Sequence, residues 1–401
     1  MLEAATPKWV QRDGKIAKTI GYYAAFVALG LTVASMGPTI NGLAENTGST
    51  LSQISYLFLL RAFGYLLGSL LAGRVYDRRP GHPIMVVALG IGIAMLVILP
   101  LAPTLSLLIV IVLVLGIGEG LLDVGGNTLL VWIHSPNVGP YMNALHFFFG
   151  LGAVGSPLLV AQVMQLTGGI AWVYWLIALL LCPVLFWLAY LPSPVIHQQE
   201  TEDGRHEAVN YRLLGLLVLF FFLFVGVEVS YSGWIFNYAV ASGLGNNATA
   251  AYLNAVFWIA FTLGRLLGIP ISARLRPRTI ILVDLLGCIL FVAIVLLWPQ
   301  SATVLWIGVA GAGLSMASIF AVTLSWAERR LHLTGFITSC FFLGAGTSGM
   351  FFPWFIGQLF EGTGPSVTMF TILSTDLAAL AIFLVLMAYG GRPRLAQGST
   401  G

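Results

Sequence analysis

Runs of apolar residues long enough to cross a bilayer as helices recur along the whole chain, separated by short clusters of Pro, Gly, Asn or charge. Spanning a hydrocarbon core takes about 20 residues of helix, and twelve segments qualify, at about 20–42, 51–73, 83–100, 104–133, 141–165, 170–191, 211–241, 249–273, 278–298, 302–327, 335–360 and 366–389. The one long polar interruption, "SPVIHQQETEDGRHEAVN" at 193–210, combines Pro with opposed charges and few bulky apolar residues. It reads as a solvated cytoplasmic linker between an N-terminal six-helix bundle (1–192) and a C-terminal one (211–401). The N-terminal stretch "MLEAATPKWVQRDGKIAK" has no early apolar core, so no cleaved signal peptide is expected.

Composition agrees with an all-α, polytopic membrane protein: of 401 residues, 58% are hydrophobic and 8% charged. Charge then gives orientation. Lys8, Arg12, Lys15, Lys18, Arg74, Arg78, Arg79, Arg205, Arg212, Arg274, Arg276, Arg278, Arg329, Arg330, Arg392 and Arg394 all fall on one face if the chain crosses twelve times. Cations are retained on the cytoplasmic side, so both termini are expected there. The net charge of +3 is therefore a topology signal and implies no nucleic-acid partner. Only Arg61 and Arg265 lie within spans. Cys182, Cys288 and Cys340 sit in apolar segments, where no disulfide or metal framework is implied.

The two halves repeat each other. "GYLLGSLLAGR" (64–74) matches "GRLLGIPISAR" (264–274), pairing the second segment with the eighth. "PLLVAQVMQLTG" (157–168) matches "PWFIGQLFEGTG" (353–364) through Pro157/Pro353, Gln162/Gln358, Thr167/Thr363 and Gly168/Gly364, pairing the fifth with the eleventh. Six crossings per repeat return the chain to its starting side, so the repeats are parallel, as in one class of secondary transporter.

The fourth segment carries the most costly residues. In "GIGEGLLDVGGN" (116–127), Glu119, Asp123 and Asn127 are spaced four apart and form one polar stripe, each about 6 Å further along the helix axis. A carboxylate at the bilayer centre costs at least about 2.5–3.5 kcal/mol, so the stripe must face the bundle interior or a water-filled cavity. Such acids suit uptake and release of a coupling proton; a carboxylate with Asn and backbone oxygens also suits a hard cation such as sodium.

"GRVYDRRPGH" (73–82) resembles the G-x-x-x-D-R-x-G-R loop of the major facilitator superfamily through Gly73, Asp77, Arg78 and Gly81. The resemblance implies two parallel six-helix repeats, alternating access and a substrate site near the midplane. It also makes Gly73, Asp77 and Arg78 part of a cytoplasmic gate, the alternative being inside-positive anchors. In the second half "ARLRPR" (273–278) has Pro277 in place of the acid, so any latch is asymmetric.

"LDVGGNTLLVW" resembles the helix-4 "E-T-A-A-N-P-F-V" segment of the fucose permease group of sugar:proton symporters, with Asp123 on the coupling carboxylate and Asn127 on the neighbouring Asn. "MNALHFFFGLGAVG" (142–155) is similar to that group's "L-N-L-x-Q-x-F-N-x-x-G-A" through Asn143, Phe148, Gly152 and Ala153. His146 stands in place of the Gln and Phe149 in place of the second Asn, so the sugar contacts are rearranged. "VGVEVSYSGWIFNYAV" (225–240) looks like the helix-7 segment of glucose-transporter-like members through Glu228, Gly233, Trp234 and Tyr238.

The expected function is proton-coupled symport of a sugar or similar polyhydroxylated solute, with Asp123, Glu119 and Glu228 as proton-coupling candidates. Asn127, Asn143, His146, Tyr231, Trp234, Asn237, Tyr238, Arg265, Gln162 and Gln358 are candidate substrate contacts. Several admit a second reading: Glu228 and Arg265 as a packing pair, Trp and Tyr as interface anchors, His146 as a merely hydrogen-bonded ring, and the two Gln as interhelical bonds. Asp284 and Asp376 lack an adjacent polar partner in their segments and stay outside the site. Sodium-coupled uptake is one alternative. Proton-driven efflux of amphipathic compounds is another, since "GLGAVGSP" (150–157) resembles the Gly-Pro motif of antiporter fifth helices. No H-E-x-x-H and no nucleophile-base pairing is present, so an enzyme is not expected. The expected setting is a monomer in a lipid bilayer, a bacterial inner membrane, with a small-molecule substrate and no cofactor beyond the co-transported ion.

Overall fold

The computed structural model describes residues 8–135, 137–194, 210–328, 330–331 and 335–389. Among these, twelve helices are long and apolar enough to cross a membrane. They are α1 (Gly14–Thr47), α2 (Leu51–Tyr76), α3 (Gly81–Leu101), α4 (Leu105–His134), α5 (Gly139–Thr167) and α6 (Ala171–Tyr190). Then follow α7 (Tyr211–Ala241), α8 (Asn247–Arg274), α9 (Pro277–Leu297), α10 (Ala302–Glu328), α11 (Ser339–Thr363) and α12 (Ser366–Tyr389). No strand occurs among the described residues. Of the expected linker, residues 195–209 lie outside the described residues, as do Arg329, Arg392 and Arg394.

The ends of the helices follow local chemistry more than apolar length. α1 runs well beyond the expected 20–42, because a helix stops where its backbone is capped and not where hydropathy falls; Gly48, at φ +62°, ends it. The other left-handed glycines are Gly168 after α5, Gly243 after α7 and Gly364 after α11, so corresponding helices of the two halves end on the same device. α2 begins with a capping box in which the Thr50 side chain accepts from the Gln53 N–H and the Gln53 side chain from the Thr50 N–H. Its helical path is interrupted at Ser55, and that of α10 between Met316 and Ile319.

By internal contacts the chain forms two compact units: Met1–Ser49 with Leu60–Glu200, and Thr50–Leu59 with Thr201–Gly401. In the first, α1 packs on α4, α5 and α6, and α3 on α4 and α6. In the second, α7 packs on α8, α11 and α12, α8 on α10, and α9 on α10 and α12.

Glycines set the closest approaches. A Cβ on Gly64 would lie 2.1 Å from the Leu113 carbonyl oxygen, and one on Gly116 would lie 2.2 Å from that of Arg61, so α2 and α4 touch backbone to backbone. Gly30 and Gly152 do the same for α1 and α5, each with a carbonyl oxygen 2.1 Å from the added carbon. In the second unit Gly264 and Gly313 bring α8 and α10 together, at 2.9 Å from Leu314 O and 2.7 Å from Phe257 O. Without a hydrophobic drive between helices in lipid, this close packing supplies the association energy. The Gly64/Gly264 correspondence read in the sequence thus marks one packing contact used in both halves.

Candidate functional site

The first unit gathers an acid-base ladder from α2 and α4. Glu119 and Asp123 stand four apart on α4, and Arg61 and Tyr65 stand four apart on α2. Arg61 Nε donates to Glu119 Oε2 at 2.9 Å, and Arg61 Nη2 forms an ion pair with Glu119 Oε1. Tyr65 donates its hydroxyl to Asp123 Oδ2. The rungs are held in register by Gly116 and Gly120, whose missing Cβ atoms leave room for the backbone of Arg61 and Tyr65.

The guanidinium reaches further. Arg61 Nη1 donates to Val33 O at 3.1 Å and Nη2 to Thr32 O at 3.0 Å, tying α1 into the ladder. Among the described residues this is the only salt bridge, with side-chain exposures of 11% for Arg61 and 6% for Glu119. A cavity of about 20 Å³ adjoins Glu119, lined by Leu29, Thr32, Leu89, Gly92 and Gly118.

Asp123 is placed differently. Asn127 Nδ2 donates to Asp123 Oδ1 at 3.1 Å and to the Asp123 carbonyl at 2.9 Å, so both carboxyl oxygens accept from neutral donors, the phenol and the amide. Glu119 carries a cation in contact and Asp123 carries none. Of the stripe, Asp123 is therefore the acid without a cation in contact.

The remaining candidates of the first unit lie on α5 and at the end of α2. Asn143 and His146 are exposed on α5, with the His146 ring edge-on to Phe26 at 5.9 Å between centroids. Gln162 is exposed. Gly73, Asp77 and Arg78 are exposed at the end of α2, and Asp77 forms no salt bridge among the described residues.

In the second unit, Glu228 on α7 and Arg265 on α8 interact electrostatically without a hydrogen bond, and the Arg265 guanidinium lies 4.4 Å from the centre of the Phe261 ring. Tyr231, Trp234, Asn237 and Tyr238 are all buried. Trp234 donates its indole N–H to Pro353 O at 2.9 Å and stacks on Phe360 at 5.1 Å between centroids. Tyr231 stacks on Phe257 at 5.3 Å, and neither its hydroxyl nor either amide atom of Asn237 has a hydrogen-bond partner. Gln358 makes interhelical bonds: its Nε2 donates to Ser52 O at 2.8 Å and Ser55 Oγ at 3.1 Å, and its Oε1 accepts from Ser52 Oγ at 2.9 Å. Asp284 accepts from Ser318 Oγ.

Twelve apolar helices in two glycine-packed units, with a buried acid-base ladder inside one of them, are the architecture of a polytopic membrane protein. The sequence pattern of the Major Facilitator Superfamily matches residues 22–353, and the chain belongs to that superfamily. It is 30% identical to the human "Sodium-dependent glucose transporter 1" over 92% of this chain and 79% of that protein, and 31% identical to the Xenopus laevis protein of the same name over 89% and 79%. Zebrafish (Danio rerio) "Major facilitator superfamily domain-containing protein 4A" is 28% identical over 86% of this chain and 83% of its own length. The crystal structure of a point mutant of the nucleoside transporter NupG superposes with a TM-score of 0.74 at 14% identity, covering 94% of this chain and 99% of that one, which shows a shared fold.

Proposed function

We propose that the protein is a cation-coupled symporter of a sugar, working by alternating access, with Asp123 as the residue that takes up and releases the coupling cation. The observation that carries this reading is the contrast within the α4 stripe. Arg61 neutralises Glu119, whereas Asp123 is held only by Tyr65 and Asn127. The sugar is supported by the relatives named as glucose transporters and by polar side chains suited to hydroxyl groups, chiefly Asn127 beside the coupling acid and the unpartnered amide of Asn237. Trp234, whose indole N–H is already engaged, is read as a packing residue.

The proton is the coupling ion that the geometry favours. The groups facing Asp123 are hydrogen-bond donors, which serve a carboxyl that gains and loses a proton, whereas a sodium cage needs several oxygen acceptors. Sodium coupling is the second reading, favoured by the printed names of the relatives. The distribution of Lys and Arg supports an orientation with both termini cytoplasmic.

The test is uptake of labelled hexoses into proteoliposomes under an imposed proton gradient, then a sodium gradient, with wild type and Asp123→Asn. Saturable proton-driven accumulation that vanishes in the variant while sugar exchange persists is the expected result. Accumulation under sodium alone replaces the proton by sodium at the same residue. No accumulation under either gradient overturns sugar symport and directs the search to efflux substrates.

A further inference from the structure

Inside the second unit lies an acid that the ladder does not use. Asp376 on α12 is 0% exposed, and neither of its carboxyl oxygens has a hydrogen-bond partner. On the neighbouring α9, Asp284 shows the usual solution for a buried acid in accepting a hydrogen bond from the Ser318 hydroxyl. The helices packed on α12 are α7, α9 and α11. From α7 the Tyr231 hydroxyl interacts electrostatically with Asp376 and is itself unpartnered; from α9 Cys288 does so, and Asp284 and Glu228 in turn interact with Cys288. Among the described residues Cys340 and Glu361 are the titratable side chains of α11, and Glu361 is engaged with the Leu51 N–H. The interacting groups are acids, a phenol and a thiol; the cations of the helices packed on α12 are Arg212 and Arg278, each in the first turn of its helix, and Arg265 on α8 interacts with Glu228.

An ionised carboxylate here would have no cation in contact and no donor within hydrogen-bond distance, a state that costs several kcal/mol and that proteins avoid by neutralising the group. Both oxygens are also closed to solvent. We propose that Asp376 is a second proton-binding carboxyl of this transporter, held as the neutral acid while α12 is packed on α7 and α9, and giving up its proton only when that packing opens. Ionisable residues at this depth are rare because of their cost, and an Asn would fill the same volume without it, which points to use of the proton itself. The role in transport rests on the cation-coupled reading above; the binding of the proton does not.

Two readouts separate these. Difference infrared spectroscopy of the full chain in liposomes at neutral pH, wild type against Asp376→Asn, is expected to show a protonated-carboxyl C=O band that the substitution removes and that Asp123→Asn leaves in place. No such band means Asp376 is ionised, and overturns the proposal whatever the transport data show. Proton uptake per hexose, counted with a pH electrode, is expected to fall by about half in Asp376→Asn, an isosteric change that leaves the packing intact. A count equal to wild type overturns the exchange step and leaves a static acid. Sugar uptake by wild type without proton movement would be a failure of the parent reading, and the infrared band then decides Asp376 alone.

Discussion

Replacing Arg61 by Gln isolates what holds the ladder together. Arg61 makes two bonds to the Glu119 carboxylate and one each to the carbonyls of Val33 and Thr32, all from a side chain only 11% exposed. Its removal leaves Glu119, 6% exposed, as a carboxylate without a counter-charge. Breaking a buried pair in this way costs about 3–5 kcal/mol, and most of that is the stranded charge. At 1.4 kcal/mol per factor of ten, the folded-to-unfolded ratio falls by about two to four orders of magnitude. Glu119→Gln is milder, because the guanidinium keeps two carbonyl acceptors on α1. The double variant Arg61→Gln/Glu119→Gln removes both charges and is expected to recover much of the loss, with a coupling of about 0.5–3 kcal/mol in the cycle. Equilibrium unfolding of the purified chain in detergent, with size-exclusion recovery after heating as a second measure, reads all four species. A double variant no more stable than Arg61→Gln alone refutes the reasoning, since the cost would then lie in lost packing and not in the unpaired acid.

Three further outcomes follow from the same geometry. Tyr65→Phe deletes the donor to Asp123 Oδ2; a bond to a charged group contributes about 1.5–3 kcal/mol, so the cation concentration for half-maximal uptake is expected to fall by about tenfold or more while the sugar concentration for half-maximal uptake holds, both from initial rates. Gly116→Ala drives a carbon to 2.2 Å from the Arg61 carbonyl and is expected to cost about 1–3 kcal/mol and most of the transport, whereas Gly92→Ala, with its nearest neighbour at 3.6 Å and the cavity beside it, is expected to keep or raise the melting temperature. Trp234→Phe removes the bond to Pro353 O but keeps a ring for Phe360, so a loss of about 1 kcal/mol with an unchanged sugar KM is expected; a KM raised tenfold would return Trp234 to the sugar site.

The spans were legible because lipid imposes a length and a composition that hydropathy reads directly. Their ends and breaks were not: the extension of α1 to Thr47 and the interruptions at Ser55 and after Met316 depend on capping and packing that apolar content does not encode. The acid stripe of α4 was legible in its spacing, and the partners were half visible. Arg61 stood out as a cation within a span, and Tyr65 follows it by four residues, the same interval that separates Glu119 from Asp123. What the sequence lacked was the register between α2 and α4, which turns two intervals of four into two rungs. On α7 the spacing of Glu228, Tyr231, Trp234 and Tyr238 carried no sign of which faces are buried, so the engagement of Trp234 with Pro353 could only be seen in the fold.

Register and chemistry are in fact one feature of α4. Gly116 precedes Glu119 by three residues and Gly120 precedes Asp123 by three, so each glycine lies on the face of its acid, almost one turn below. The backbone of α2 approaches where those glycines stand, and it approaches at Arg61 and Tyr65, the two residues whose side chains then reach the two acids. A side chain at either glycine would push away the donor that its own acid depends on. The repeat keeps the glycine contact in the second unit, through Gly264 and Gly313, but at the same offset of 200 it replaces Arg61 by Phe261 and Tyr65 by Arg265, whose electrostatic partner is Glu228 on α7 and not an acid on α10. The ladder is thus an addition to a packing contact that both halves share, and this is why the acids of the first unit, and not those of the second, are the ones to test first for coupling.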